Sequence, residues 1–123
     1  MTEKLKYGHL QRFGPAIRNS FVGLKAAYNN EIAFRQEVYL FLLLFPVALY
    51  IADNFIEFSL LMSAIMGIMI AELLNSAVEA AIDRISLEHH ELSGLAKDLG
   101  SAAVFVAICY FVLVWGYKVY TLF

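Results

Sequence analysis

The residues of this chain best suited to chemistry are Glu72, Asn75, Ser76, Glu79 and Asp83, which follow the apolar run Phe58 to Ala71. At about 100° of rotation per residue they fall within an arc of roughly 100°, so a helix carries all five on one stripe. Carboxylates at membrane depth are costly to insert, so they face a bundle interior or a wet cavity and mark a functional site. Hard oxygen donors of this kind suit Mg²⁺, which is usually held by one or two carboxylates together with substrate phosphates. That arrangement implies phosphoryl transfer.

Glu72 is the acid deepest in the apolar stretch, which fits it to accept a hydroxyl proton. Glu79, nearer the polar end, can meet a metal arriving with substrate phosphates, and Glu31 can approach from the start of the preceding apolar segment. Lys97 can neutralise phosphate charge, an electrostatic task that dominates this chemistry. Neither G-x-x-x-x-G-K-[ST] nor a kinase glycine-rich loop is present, so side chains and helix ends must hold the nucleotide. Plainer readings stand beside these. Lys97 and Arg84 also serve as ordinary membrane anchors, and Asp83 can pair with Arg84 or cap backbone. His89 and His90 are adjacent, without the i, i+4 spacing of a helical zinc pair. A buried Asn75 must bond either another helix or a ligand.

The elements that position these groups follow from composition. With 123 residues, 61% hydrophobic side chains and a mean hydropathy of +0.68, the chain exceeds the ~45–50% apolar content of a soluble domain and belongs in a bilayer. Three spans are expected, at about 32–52, 55–85 and 100–120. Val38 to Ala52 is too short for the ~20 residues a crossing needs, so the first span borrows from Ile32 to Glu37. Glu31, Arg35, Gln36 and Glu37 then sit at its mouth, and Pro46 is a candidate kink. In the second span Ser59, Ser63, Gly67 and Ala71 form a row that lets another helix approach. Ser86 to Leu99 reads as a polar linker punctuated by Gly94 and Gly100. Trp115, Gly116, Tyr117, Lys118 and Tyr120 read as the far interface belt.

Ahead of the spans, Leu10, Phe13, Ile17, Phe21, Leu24 and Tyr28 recur at helical intervals with Arg18 and Lys25 on other faces. This predicts an amphipathic surface helix over about 10–29, its regular part starting at Gly14 and Pro15. Lys4, Lys6, Arg12, Arg18, Lys25 and Arg35 precede the first long apolar run, Arg84 and Lys97 follow the second, and Asp53 to Glu57 carries acids alone. The positive-inside bias therefore places the N-terminus and the 84–99 loop in the cytoplasm. No secretory signal is evident, and the spans themselves are expected to direct insertion. Cys109 is the sole cysteine, which excludes an intrachain disulfide and reads as lipid-facing or packed filler. Three spans enclose little interior, so a homo-oligomer of single-domain subunits (1–123) is expected, with sites shared between neighbours.

Several blocks resemble the prokaryotic integral-membrane diacylglycerol kinases of Gram-negative type. They are G-L-K-A-A-Y at Gly23 to Tyr28, N-E-I-A-F-R-Q-E at Asn30 to Glu37, A-E-L-L-N-S-A-V-E-A-A-I-D-R at Ala71 to Arg84, and E-H-H-E-L-S-G-L-A-K-D-L-G-S-A-A at Glu88 to Ala103. The resemblance implies an all-α homotrimer of three-span subunits with a surface helix in the bacterial inner membrane. It implies transfer of the γ-phosphate of Mg-ATP to diacylglycerol, giving phosphatidate. The position matching Glu72 is then the general base, and those matching Glu31 and Glu79 hold Mg²⁺. Nucleotide contacts are implied for Arg12, Asn19, Glu31, Asn75, Glu79, Glu88, His89, His90, Lys97 and Asp98. Lipid-substrate contacts are implied for Arg12, Ala33, Phe34, Arg35, Gln36, Glu37, Glu72 and Ser101. ATP, the lipid, the bilayer and sister subunits are the expected partners, and nucleic acid is not.

Gram-positive relatives phosphorylate undecaprenol, which makes an undecaprenol kinase the nearest alternative, although the N-E-x-A-F-R-Q-E and H-E-L-S-G blocks are more similar to the diacylglycerol enzymes. A small proton-coupled transporter also needs intramembrane acids. It has no need of the Glu88 to Asp98 cluster at one mouth.

Overall fold

The computed structural model describes residue 8 and residues 10–123; Lys4 and Lys6, counted above among the basic residues, lie outside the described residues. Four helices follow one another: α1 (Phe13–Asn30), α2 (Ile32–Ile51), α3 (Phe55–Ile85) and α4 (Glu91–Leu122). Among the described residues, α2, α3 and α4 are long and apolar enough to cross a membrane. At about 1.5 Å per residue, even the shortest of them reaches the ~30 Å of a bilayer core.

Each junction has a local cause. Pro15 falls in the first turn of α1, where a missing N–H costs no helical bond. Glu31 alone separates α1 from α2: its backbone is extended, its N–H closes α1 on Ala27 O at 2.8 Å, and its carbonyl opens α2 by accepting from Arg35 N at 3.1 Å. The Arg35 guanidinium reaches back to donate to Tyr28 O and Asn29 O, both at 2.9 Å, satisfying carbonyls that the end of α1 leaves open. Asn54 caps α3 by accepting from Glu57 N at 2.9 Å, while the Glu57 carboxylate accepts from Asp53 N at 2.8 Å.

α3 lies between α2 and α4, which both pack on it, while α1 rests on α2. The core is Ala48 from α2, Leu61, Met62, Ala64 and Ile65 from α3, and Trp115 from α4, flanked by Phe41, Leu44, Phe58 and Phe111. Lipid tails are as apolar as these side chains, so helix association rests on close packing and interhelical hydrogen bonds rather than escape from water. Such bonds join α3 to α4 within the bundle: the Trp115 indole N–H donates to Leu61 O at 2.9 Å, and Tyr110 pairs with Ser63 Oγ at 3.3 Å.

The structure differs from the sequence reading at three places. The stretch expected as a linker is mostly helix: α4 begins at Glu91, where His90 Nδ1 accepts from Leu92 N at 3.1 Å and Glu91 complements the helix dipole. Trp115 is 7% exposed and belongs to the core, because its N–H finds a carbonyl inside the bundle. Lys118 is 8% exposed and held by Glu57 at 2.7 Å and Asp53 at 3.2 Å, where two carboxylates replace the water an interfacial lysine would seek. Pro46 lies inside α2, as the sequence reading placed it. Along the Ser59 to Ala71 row, Ser63 meets Tyr110 of α4, and Gly67 and Ala71 line a groove facing Ala96 and Ala103 of α4, with no atom within 4 Å of a Cβ built on Gly67.

Candidate functional site

One face of α3 and the α1–α2 elbow bring the acids together. Helical spacing stacks Glu72, Asn75 and Glu79 along α3, and the single-residue elbow sets Glu31 beside them, close enough for Glu31 and Glu79 both to repel Glu72. Glu37, further along α2, also feels the charge of Glu72. All four carboxylates are half-buried. Arg35 maintains this arrangement from behind: its fork pins the last carbonyls of α1 and its guanidinium lies 5.4 Å from the Tyr28 ring centroid. Tyr28 and Tyr39 share a hydroxyl bond of 2.8 Å across the same elbow.

Asn75 is 9% exposed, and its Nδ2 donates to Glu79 Oε1 at 3.4 Å. Its Oδ1 and Glu37 Oε1 are buried without a hydrogen-bond partner among the described residues. Unsatisfied acceptors in a desolvated place are costly. Beside the acids, a cleft of about 530 Å³ opens between α1 and α3, lined by small residues such as Gly23, Ala27, Ser76 and Ala77, with Glu31 on its wall.

The polar end of the α3–α4 hairpin forms a second feature, a pocket of about 200 Å³ lined by Asp83, Ser86, Glu88, His89, His90 and Lys97. Lys97 Nζ donates to Asp83 Oδ1 at 3.0 Å. Asp83 does not pair with Arg84 as anticipated, because consecutive helical residues point about 100° apart whereas Lys97 faces it from α4. Glu88 N donates to Ser86 Oγ at 3.0 Å.

The chain belongs to the prokaryotic diacylglycerol kinase family. Residues 18–119 match that family, described as prokaryotic diacylglycerol kinase. The chain is similar to the diacylglycerol kinase of Haemophilus influenzae, at 50% identity over 82% of this chain and 86% of that relative. It resembles the Escherichia coli K12 diacylglycerol kinase at 52% identity over 78% of this chain and 79% of the relative. The Pseudomonas aeruginosa diacylglycerol kinase is 45% identical over 87% of each chain.

The site residues expected for a prokaryotic diacylglycerol kinase are distributed unevenly in the fold. Glu31, Glu37, Glu72, Asn75 and Glu79 gather at the elbow, and Glu88, His89, His90 and Lys97 line the hairpin pocket. Asp98 and Ser101 are exposed on α4, and Ala33 and Gln36 on α2, whereas Phe34 is buried at 2% exposure. Arg12 and Asn19 are exposed on α1; the Arg12 guanidinium lies 6.0 Å from the Phe13 ring, and among the described residues no ion pair joins either to the acids. Among the described residues no three His, Cys, Asp or Glu side chains form a ready-made metal cage.

Two contributors went unread in the sequence. Arg35, named above for lipid contact, has a second part that was not read: it hydrogen-bonds the backbone of α1, and a basic residue one turn into the helix after an elbow was the available signal. Gly100 was read as punctuation but lies inside α4 against Asn75. A glycine inside a helix costs about 1 kcal/mol relative to alanine, which points to a close approach.

Proposed function

We propose that this chain phosphorylates 1,2-diacylglycerol with Mg-ATP to give phosphatidate, acting as a homotrimer in the bacterial inner membrane. The N-terminus and the α3–α4 hairpin face the cytoplasm in this reading, and α1 lies in the lipid interface with Phe13, Ile17, Phe21 and Leu24 turned toward acyl chains; all four side chains are exposed in the single chain. The observation that carries the proposal is the gathering of Glu31, Glu72 and Glu79 on an apolar scaffold. An assembly protein gains nothing from mutual repulsion among desolvated acids, whereas an enzyme handling a proton and a cation does.

Glu72 accepts the proton of the lipid hydroxyl as its oxygen forms a bond to the γ-phosphorus, the bond from that phosphorus to the β–γ bridging oxygen breaks, and ADP departs. Glu31 and Glu79 would hold Mg²⁺ together with the triphosphate. Their all-oxygen donor set fits a hard cation, and two carboxylates are the number Mg²⁺ usually takes from protein when phosphates supply the rest. Mg²⁺ bound there supplies neutralisation of phosphate charge. Asn75 keeps the Glu79 carboxylate turned toward the site, and Lys97 and the hairpin pocket bind the nucleotide from water. Diacylglycerol reaches Glu72 sideways from the leaflet, past Ala33 and Gln36 on the exposed face of α2. The metal donors and the base therefore stand between an aqueous mouth and an oily flank.

The purified chain, assayed with Mg-ATP and diacylglycerol, undecaprenol or no lipid, tests the proposal. Phosphatidate formation with diacylglycerol, dependent on Mg²⁺, is expected. Phosphorylation of undecaprenol alone, or none at all, refutes it.

A further inference from the structure

We infer that Gly100 is a positioning residue for phosphoryl transfer, acting through Asn75 on Glu79; the inference rests on the reaction proposed above. A Cβ built at position 100 would overlap Asn75 Oδ1 and lie 3.3 Å from Asn75 Cγ and 3.7 Å from Asn75 Cα. Glycine presents only a hydrogen there, and that hydrogen points at the amide oxygen. Bases for the same substitution elsewhere are different: nothing lies within 4 Å of a Cβ at Gly14, Gly23, Gly67, Gly94 or Gly116. Among the described residues, Gly100 is thus the one helix-interior glycine against which another side chain is seated.

The direction of the Asn75 amide follows from its two neighbours. Nδ2 donates to Glu79 Oε1 at 3.4 Å, and the reverse orientation would set the amide oxygen against a carboxylate oxygen. With Nδ2 on Glu79, Oδ1 must turn to α4, where it is buried without a hydrogen-bond partner among the described residues. Such an acceptor stays there only because the other side of the helix pair leaves room for it. Asn75 and Gly100 both line a groove of about 550 Å³ between α3 and α4, with Ala71, Val78, Ala96 and Leu99. A Cβ at position 100 would stand at ordinary contact distance, 3.7 Å, from Asn75 Cα, so the backbone spacing of the two helices leaves room for it.

A methyl group at position 100 therefore meets the end of a side chain rather than backbone. The least costly response is for the Asn75 amide to rotate away, which breaks its bond to Glu79 and frees that carboxylate to adopt other rotamers. The helices keep their spacing, and the damage falls on the orientation of a metal donor. This separates Gly100 from a packing glycine, whose replacement would push α4 away from α3.

A double-mutant cycle over Gly100→Ala and Asn75→Ala tests the linkage, with two readouts on the full-length protein in lipid. The first is the apparent KM for Mg²⁺ in the diacylglycerol kinase assay. The second is binding of Mn²⁺ in the presence of a non-hydrolysable ATP analogue, followed by electron paramagnetic resonance without turnover. Each single variant is expected to raise the KM for Mg²⁺ and weaken Mn²⁺ binding about tenfold, the loss of one hydrogen bond near 1.4 kcal/mol, with the thermal midpoint little changed. The double variant is expected to be no worse than Asn75→Ala, since Gly100 acts only through that amide. Additive losses, a lowered thermal midpoint with unchanged Mn²⁺ binding, or wild-type behaviour of Gly100→Ala would each overturn the inference while leaving the kinase reading intact. A wild-type protein inactive on diacylglycerol would remove both.

Discussion

Lys118 Nζ donates to Glu57 Oε2 at 2.7 Å, joining the last turns of α4 to the first turn of α3. Asp53 adds a second carboxylate at 3.2 Å, and the Glu57 carboxylate also accepts from Asp53 N at 2.8 Å. One lysine thus ties a helix start, a loop and a helix end. This clasp lies far from the candidate site: Glu57 and Glu72 are separated along α3 by about 22 Å at 1.5 Å per residue. Lys118→Met is expected to lower the midpoint of thermal inactivation by several degrees while leaving turnover at low temperature near wild type. Differential scanning of the solubilised protein, alongside the kinase assay, checks both halves.

The acids of α3 are expected to separate by function. Glu72→Gln should reduce kcat by about 10²–10⁴-fold, the usual worth of a general base, and leave binding of Mg-ATP in place. Glu79→Gln should raise the KM for Mg²⁺ and weaken nucleotide binding as well. Steady-state kinetics with Mg²⁺ varied at fixed ATP distinguishes the two patterns, and equal effects of both variants on KM and kcat would contradict the assignment.

Arg35 makes two bonds to α1 that a lysine cannot reproduce together, since the ammonium is a point donor and the guanidinium a planar fork. Arg35→Lys is expected to lose one of them. At about 1.5 kcal/mol for a charge-assisted bond, amides around Tyr28 to Glu31 should exchange roughly tenfold faster. Hydrogen-exchange mass spectrometry reads this directly, and the activity loss should track the loosening of Glu31.

Asp83 and Lys97 form an exposed pair, with side chains 50% and 44% accessible. Such pairs contribute about 0–1 kcal/mol. Asp83→Asn should therefore leave stability within about 1 kcal/mol of wild type, measured by thermal unfolding. Lys97→Ala should cost roughly ten- to hundredfold in kcat/KM for ATP, because a charged contact to phosphate is worth about 1.5–3 kcal/mol.

Much of the helix layout was legible because membrane insertion constrains sequence strongly. Val38 to Ala52 and Phe58 to Ala71 are recognisable as apolar runs, and the length a crossing needs extends them to the helices Ile32–Ile51 and Phe55–Ile85. The start of α4 was not legible. Glu91, Lys97 and Asp98 look like loop residues by hydropathy, yet a helix emerging from the membrane carries such residues on its aqueous turns. Hydropathy reports what the surroundings are, not whether the backbone has stopped being helical.

The stripe of Glu72, Asn75 and Glu79 was readable because helical periodicity is a property of one segment. Which groups join it was not. The pairing of Lys97 with Asp83, the seating of Trp115 on Leu61 O and the capture of Lys118 by Glu57 all depend on how α4 lies against α3. The same holds for Gly100 and Asn75, whose fit is set by the distance between two helices. By itself the sequence determined the apolar spans, the acidic face of α3 and the family, since composition, period and ordered motifs are written along one chain. Only the tertiary structure decided which polar atoms meet across the helices, because an interhelical contact depends on rotation, register and spacing that no single segment encodes.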